Sequence, residues 1–201
     1  MFTGLVSDVG HVKSVEDVNG LRRVRVEGVY PASAIQMGAS IQHSGVCLTV
    51  VDFGERTGGS WWVVEAIPET LARTTLGQWQ VGSRVNLELS LKLGDELGGH
   101  LVYGHVDGLG ELSEIRQVGE SRVLRVRVPG PLSKFFAEKG SVAVDGVSLT
   151  VSAVGEPWFE VSLIPHTLSV TTLGGLKQGD KVNLEVDMLA RYVARMLEWR
   201  S

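Results

Sequence analysis

The stretch IPETLARTTLG at residues 67–77 returns ninety-seven positions later as IPHTLSVTTLG at residues 164–174, with eight of eleven letters unchanged. A phrase spelled twice raises the question of whether the whole chain is. Three further stretches recur in the same order. MFTGLVSDVGHV (1–12) parallels LVYGHVDGLGEL (101–112), SGVCLTV (44–50) parallels DGVSLTV (145–151), and VGSRVNLEL (81–89) parallels QGDKVNLEV (178–186), at offsets of 100, 101 and 97. So small a drift puts the insertions in loops. A period near 100 residues is too long for a solenoid unit, which runs about 20–50, but is the size of a complete domain with its own core.

Within each half the pattern is that of strands. LRRVRVEGV and VLRVRVPG alternate, WWVVEAI and WFEVSLI are short β-rich runs, and Gly or Asp-Gly punctuates between them. Helical spacing is confined to short pieces around Pro31–Met37 and Pro131–Glu138. Five or six short strands per half, with 25 glycines overall, predict an all-β fold of two small closed antiparallel barrels. The tail differs. After Asp187, a suitable N-cap, MLARYVARMLEW sets Met188, Leu189, Tyr192, Val193, Met196 and Leu197 on one stripe of a helix. A helix of about a dozen residues is marginal alone in water, so the stripe docks either on its own barrels or against another copy.

Composition narrows the function classes. With 43% hydrophobic and 21% charged residues the chain is an ordinary globular protein. A net charge of -4 argues against nucleic acid as a partner, since phosphate binding needs a clustered basic face. A single cysteine, Cys47, excludes an internal disulfide framework and a cysteine-based zinc site. The amino terminus lacks a signal-peptide pattern and no stretch approaches eighteen apolar residues, so the expectation is a cytoplasmic protein without a membrane partner.

Read as a strand, SGVCLTV sends Val46, Leu48 and Val50 to the core face and Cys47 and Thr49 to the other. Its twin sends Val147, Leu149 and Val151 inward and Ser148 and Thr150 outward. Each domain thus presents a small polar pair at a matching place, and the pairs differ in one reactive atom. Cys47 reads either as a small buried hydrophobe or as a nucleophile. Pro68 and Pro165 end strand pairing, and the residues after them, Glu69 and His166, are either acid–base groups at a pocket rim or exposed loop residues. The glycines of GGHLVYGHVDGLG have no GxGxxG spacing and serve turns and close approach. His100 and His105 stand five apart with no further His or Cys nearby, a poor metal site; His105 is a candidate proton shuttle or a structural histidine.

Taken together, MFTG, GVCLTV, GGHLVYGHVDG, DGVSLTV, and IPHTL through TTLG and GDKVNLEVD, followed by a short helical tail, resemble the riboflavin synthase alpha-chain family over essentially all 201 residues. The resemblance implies two six-stranded Greek-key barrels, 1–97 and 98–186, each holding one 6,7-dimethyl-8-ribityllumazine, and a carboxy-terminal helix, 187–201, that assembles a homotrimer. It implies a dismutation in which one lumazine gives a four-carbon unit to another, yielding riboflavin and 5-amino-6-ribitylaminouracil, at a site between the first barrel of one subunit and the second of a neighbour, without metal or cofactor. Carried over by motif, the first pocket takes Gly4, Leu5 and Val6, Cys47, Leu48 and Thr49, and Glu65, Ala66, Ile67, Pro68, Glu69 and Thr70. The second takes Gly104, His105 and Val106, Lys139, Ser148, Leu149 and Thr150, and Ser162, Leu163, Ile164, Pro165, His166 and Thr167. Cys47, Ser148, His105 and Asp187 fall on positions associated with catalysis. The chain departs from the family at Ser44, where Asn is usual and which bears on a hydrogen bond near the first pocket, and at Tyr103, where a small residue is common beside the second. Association with a separate lumazine synthase is left open. The competing readings are a non-catalytic lumazine- or flavin-binding antenna and a barrel pair acting as scaffold or oligonucleotide reader.

Overall fold

A computed structural model describes residues 1–199. Six strands, β1 (Asp8–Val18), β2 (Leu21–Gly28), β3 (Ser40–His43), β4 (Val46–Arg56), β5 (Gly59–Ala66) and β6 (Arg84–Leu89), close into a barrel in the order β1-β2-β5-β4-β3-β6. Six more, β7 (Gly108–Val118), β8 (Ser121–Arg127), β9 (Ser141–Val144), β10 (Val147–Gly155), β11 (Trp158–Leu163) and β12 (Lys181–Val186), close in the corresponding order, every pairing antiparallel. Closure leaves neither sheet an open edge. The duplication extends to irregularities. The bulge at Val12/Ser14 on β1 recurs at Leu112/Glu114 on β7, and that at Val50/Asp52 on β4 recurs at Val151/Ala153 on β10.

Each barrel encloses its own core, formed by the apolar alternation that the sequence shows: Ile41, Trp62, Leu76 and Leu87 in the first, and Leu112, Leu124, Phe159, Leu173 and Leu184 in the second, all essentially inaccessible to water. The repeated phrase that opens the sequence argument supplies part of both. Pro68 and Pro165 do more than end a strand. Each occupies the first turn of a short helix, α1 (Pro68–Arg73) or α3 (Pro165–Val170), where a missing N–H costs nothing. Thr74 then closes α1, donating its hydroxyl to Thr70 O (2.7 Å) and accepting Leu76 N–H (3.2 Å), and Thr171 does the same for Thr167 and Leu173. The turn that follows drives Leu76 or Leu173 into a barrel. Elsewhere helix is scarcer than the spacing predicts: Pro31–Met37 gives only a 3-10 turn at Ala32–Ala34, and Pro131–Glu138 only α2 (Gly130–Ser133).

The twin VNLE sequences explain how the barrels join. On β6, Val85 and Leu87 face the first core while Asn86 and Glu88 are buried on the opposite side; on β12, Val182 and Leu184 face the second core while Asn183 and Glu185 are buried likewise. Asn86 donates to Asp145 O (2.9 Å) and accepts Thr172 N–H (2.8 Å). Asn183 donates to Ser44 O (2.7 Å) and Thr75 Oγ1 (2.9 Å) and accepts Thr75 N–H (2.8 Å). Each asparagine side chain therefore finds these partners in the other barrel, which gives two otherwise separate domains one fixed arrangement. Ser44 belongs to this seam and not to a pocket: its hydroxyl accepts Asn86 N–H (3.0 Å).

After Asp187, whose carboxylate caps Leu189 N–H at 2.9 Å, α4 (Met188–Glu198) leaves the second barrel. Arg191 ties it back to Asp107 (2.8 Å), and Lys134 pairs with Glu198 (3.1 Å). Its apolar stripe stays in water: Leu189, Tyr192, Val193, Met196 and Leu197 are all more than half exposed. No helix is long and apolar enough to cross a membrane among the described residues.

Candidate functional site

Strand β4 behaves as its alternation requires. Val46, Leu48 and Val50 are buried in the first barrel, Thr49 is exposed, and Cys47 is half-buried on the outer side. On β10, Val147 and Val151 are buried, Leu149 lies partly buried against the core, Thr150 is exposed and Ser148 takes the place of Cys47.

What caps these two side chains crosses between the barrels. The segment before β7 reaches over β4: Cys47 N–H donates to Gly104 O (2.9 Å), and Val106 packs into the first barrel's core. The segment before β1 reaches over β10: Ser148 N–H donates to Gly4 O (2.8 Å), and Val6 packs into the second barrel's core. The two segments meet as an antiparallel bridge between Phe2 and Val102, both fully buried. Glycine is required at both tips. Gly4 and Gly104 have φ of +76° and +75°, and a Cβ on either would lie 2.6 Å from the Cβ of Ser148 or Cys47. In the structure Gly4, Leu5 and Val6 stand with Ser148, and Gly104, His105 and Val106 stand with Cys47, across the two groups carried over by motif.

Around Cys47 the structure opens a cavity of about 400 Å³, lined by Val46, Cys47, Glu69, Thr70, Arg73, Thr74 and the loop from Gly104 to Asp107. Glu69 is the second residue of α1, and Arg73 one turn on pairs with it at 2.8 Å. His105 is exposed and also borders a neighbouring cavity of about 280 Å³ with Tyr103, Glu185, Met188, Arg191 and Tyr192. The Tyr103 ring lies 5.8 Å from that of His105, so the departure at Tyr103 falls on the Cys47 side and against α4, not on the Ser148 side.

The Ser148 side is different. The linker folds over it, and His100 Nδ1 lies 2.7 Å from Ser148 Oγ. Burial lowers the imidazole's pKa, partly opposed by the charge of Asp187, and His100 Nε2 is buried without a hydrogen-bond partner. A neutral imidazole against a hydroxyl can take its proton. Sequence reasoning weighed His100 only as a metal ligand; its position relative to Ser148 depends on how the linker folds back, for which the letters carry no signal. Among the described residues no three His, Cys, Asp or Glu side chains come together as a metal site.

Other expected site residues are not among those that line the Cys47 cavity. Ala66 and Leu163 are buried in the cores, and Glu65 turns outward to Arg23 (3.2 Å). Ile67 and Ile164 are more than half exposed, and Pro68, Pro165, Ser162 and His166 are exposed around them, with Thr167 half-buried in α3. Lys139 is exposed in a left-handed turn (φ 65°) where its twin is Gly38 (φ 79°), each donating its backbone N–H into the adjoining strand at 2.9 Å.

Two residues that sequence reasoning missed hold the capping loops. Glu185 accepts three consecutive backbone N–H groups, from Tyr103 (2.6 Å), Gly104 (2.8 Å) and His105 (2.9 Å). Glu88 accepts Thr3 N–H (2.6 Å), the Thr3 hydroxyl (2.7 Å), Gly4 N–H (3.0 Å) and Gln42 Nε2 (2.8 Å). Burial raises the pKa of both carboxyls and these donors oppose it. Their one signal in the sequence is the identity of VNLE in the two halves.

Comparison with known proteins agrees with the two-barrel fold. The lumazine binding domain family matches the chain twice, over residues 3–90 and 103–187. The chain is 50% identical to the riboflavin synthase of Brucella abortus (strain 2308) over all of both chains, and 44% identical to that of Mycobacterium bovis over 98% of each. It is 36% identical to that of Bacillus subtilis (strain 168), over 98% of this chain and 90% of that one. The fold matches a crystal structure of LumP complexed with riboflavin, at a TM-score of 0.79 and 24% identity over 92% of this chain and 99% of that one.

Proposed function

The chain belongs to the riboflavin synthase family, with both lumazine-binding domains present, and from that premise we propose how its unequal halves divide the reaction. Its activity is that of a transferase that dismutates two molecules of 6,7-dimethyl-8-ribityllumazine: a four-carbon unit passes from one to the other, giving riboflavin and 5-amino-6-ribitylaminouracil. Donor and acceptor start as the same molecule, and what one loses the other gains, so the overall change needs no outside oxidant or reductant.

In our reading one lumazine binds beside Cys47, against Leu48, Thr49, the Glu65–Thr70 segment and the Gly104–Val106 loop. The other binds beside Ser148, against Leu149, Thr150, the Ser162–Thr167 segment and the Gly4–Val6 loop, with Lys139 on its border. The observation that carries this reading is the pair of crossed caps: two equivalent strands, each with a small polar side chain under the other half's loop. Function needs the asymmetry as much as the likeness. The thiol shares an open cavity with the exposed imidazole of His105, while the Ser148 hydroxyl is already bonded to His100. Those two environments suit attack of a nucleophile on one lumazine and removal of a proton from the 7-methyl group of the other. Asp187, acting through the field at His100, completes the second. Holding two rings together contributes up to about 7–11 kcal/mol, and positioned proton transfer a further factor of about 10²–10⁴.

The functional units in this reading are 1–97, 98–186 and 187–201, with the capping segments crossing the first boundary, and the exposed stripe of α4 joins three copies. The ligands that react together then lie on the first barrel of one subunit and the second of its neighbour. A cytoplasmic location agrees with the single free cysteine. We assign no surface to a lumazine synthase partner. Purified protein incubated with the lumazine alone should generate the absorbance and fluorescence of riboflavin. Unchanged lumazine accompanied by ligand-dependent thermal stabilisation would replace this reading with a binding-only one.

A further inference from the structure

We infer that Glu185 and Glu88 are positioning residues that act across the barrel boundary: each clamps a loop of its own barrel in the shape that caps the reactive side chain of the other. Glu185 lies on β12 of the second barrel, yet the three N–H groups it gathers are those of the loop whose tip sits on Cys47 in the first. Glu88 lies on β6 of the first barrel, and the loop it gathers caps Ser148 in the second. A carboxylate accepting successive backbone amides fixes their direction more firmly than a neutral acceptor does. With those N–H groups turned toward Glu185, the Gly104 carbonyl is left facing Cys47 N–H and the His105 side chain faces the cavity.

The two clamps are not identical. Glu88 has an additional ligand in Gln42, whose own carbonyl accepts Gly45 N–H (3.1 Å), and the register twin of Gln42 in the second barrel is Ala143. Among the described residues Glu185 receives its hydrogen bonds from the loop alone, so the cap on Cys47 depends on one carboxylate while the cap on Ser148 belongs to a wider network. The inference rests on the two-ligand reading only in treating these places as ligand sites.

Cys47 is the single cysteine of the chain, so exchange of its thiol with dithionitrobenzoate reports on this cap and on nothing else, whether or not the protein turns over lumazine. Glu185→Gln in the full-length protein should speed that exchange by about tenfold, the factor that loss of one charge-assisted hydrogen bond gives, although the substitution lies in the other barrel. Glu88→Gln should leave the exchange rate at the parent value and instead move the imidazole nitrogen-15 resonances of His100, which Glu185→Gln should leave in place. Circular dichroism establishes that each variant is folded. If Glu185→Gln does not fold, Glu185→Asp, which keeps the charge and withdraws it by one methylene, is read in the same way. An unchanged Cys47 exchange rate in a folded Glu185 variant, or equal acceleration by the Glu88 variant, overturns the inference.

Discussion

Three side chains carry burdens that their twins do not. Asp145 sits at the barrel seam where the first half has Ser44, both in left-handed backbone (φ 45° and 46°), and its carboxylate accepts Asn183 N–H at 2.8 Å. Burial pushes its pKa up to about 7. The folded state therefore keeps a proton that the unfolded chain releases near pH 4, and this contribution to stability is present below pH 4 and is lost as pH rises to about 7. Asn in its place keeps an acceptor and tolerates the backbone. The Asp145→Asn protein should thus match the parent near pH 4 and gain on it up to pH 8, by at most ~4 kcal/mol, in melts run across that range. A constant difference would mean that Asp145 does not titrate there. His43 has the opposite sign. It accepts Trp62 Nε1–H (2.8 Å) inside the first barrel, and burial lowers its pKa to about 4, so it contributes stability that is lost as pH falls from about 6.5 to 4. Cys47 is the third. Cys47→Ser, which copies the Ser148 twin, should slow turnover by about one to two orders of magnitude while orientation of the two rings persists. Complete inactivity in a folded, assembled variant would instead require an obligatory covalent role for the thiol.

Strands β6 and β12 show why part of the architecture was legible and part was not. Their alternation of Val and Leu with polar residues reads as an ordinary half-buried strand, and the barrel-facing side follows that reading. The same alternation assigns Asn86, Glu88, Asn183 and Glu185 to solvent, because nothing local distinguishes a side facing water from one facing a second domain. Helices α1 and α3 escape the reading for a related reason: Pro68 and Pro165 mark a strand's end and a helix's first turn with one letter. The buried asparagines give the element-scale prediction. Asn183→Ala removes two donated bonds and one accepted bond, and Asn86→Ala one of each, leaving the other barrel's backbone groups unsatisfied. Each should cost ~2–4 kcal/mol, Asn183→Ala the more, and thermal melts should turn from one transition into two as the barrels unfold separately. A single transition with an unchanged midpoint would show that the seam does not couple them.

At the scale of the molecule, the duplication was legible because four phrases repeat in order, while the crossing of the caps was not, because offsets say which residues are equivalent and not which of two equivalent places a loop reaches. Crossing matters for assembly. Each capped strand is covered by a loop of the other barrel of the same chain, but the proposed reaction between two lumazines requires two sites to face each other, and among the described residues α4 carries a stripe of exposed apolar side chains. Its Tyr192, Val193, Met196 and Leu197 are exposed together, while Arg191 and Lys134 fix the helix to its own barrel. Apolar area of this kind on a rigid support gains by self-association. Charging it should separate the copies without unfolding them, because these side chains contribute little to the cores. The Tyr192→Glu, Met196→Glu double variant should therefore sediment as a 21.7 kDa monomer with its barrel melts preserved, bind lumazine, and form no riboflavin, whereas the parent should sediment at three times that mass if the proposed trimer forms. A folded monomer that still turns over would move the meeting of the two rings inside a single chain, and a monomeric parent would remove the reason for the stripe.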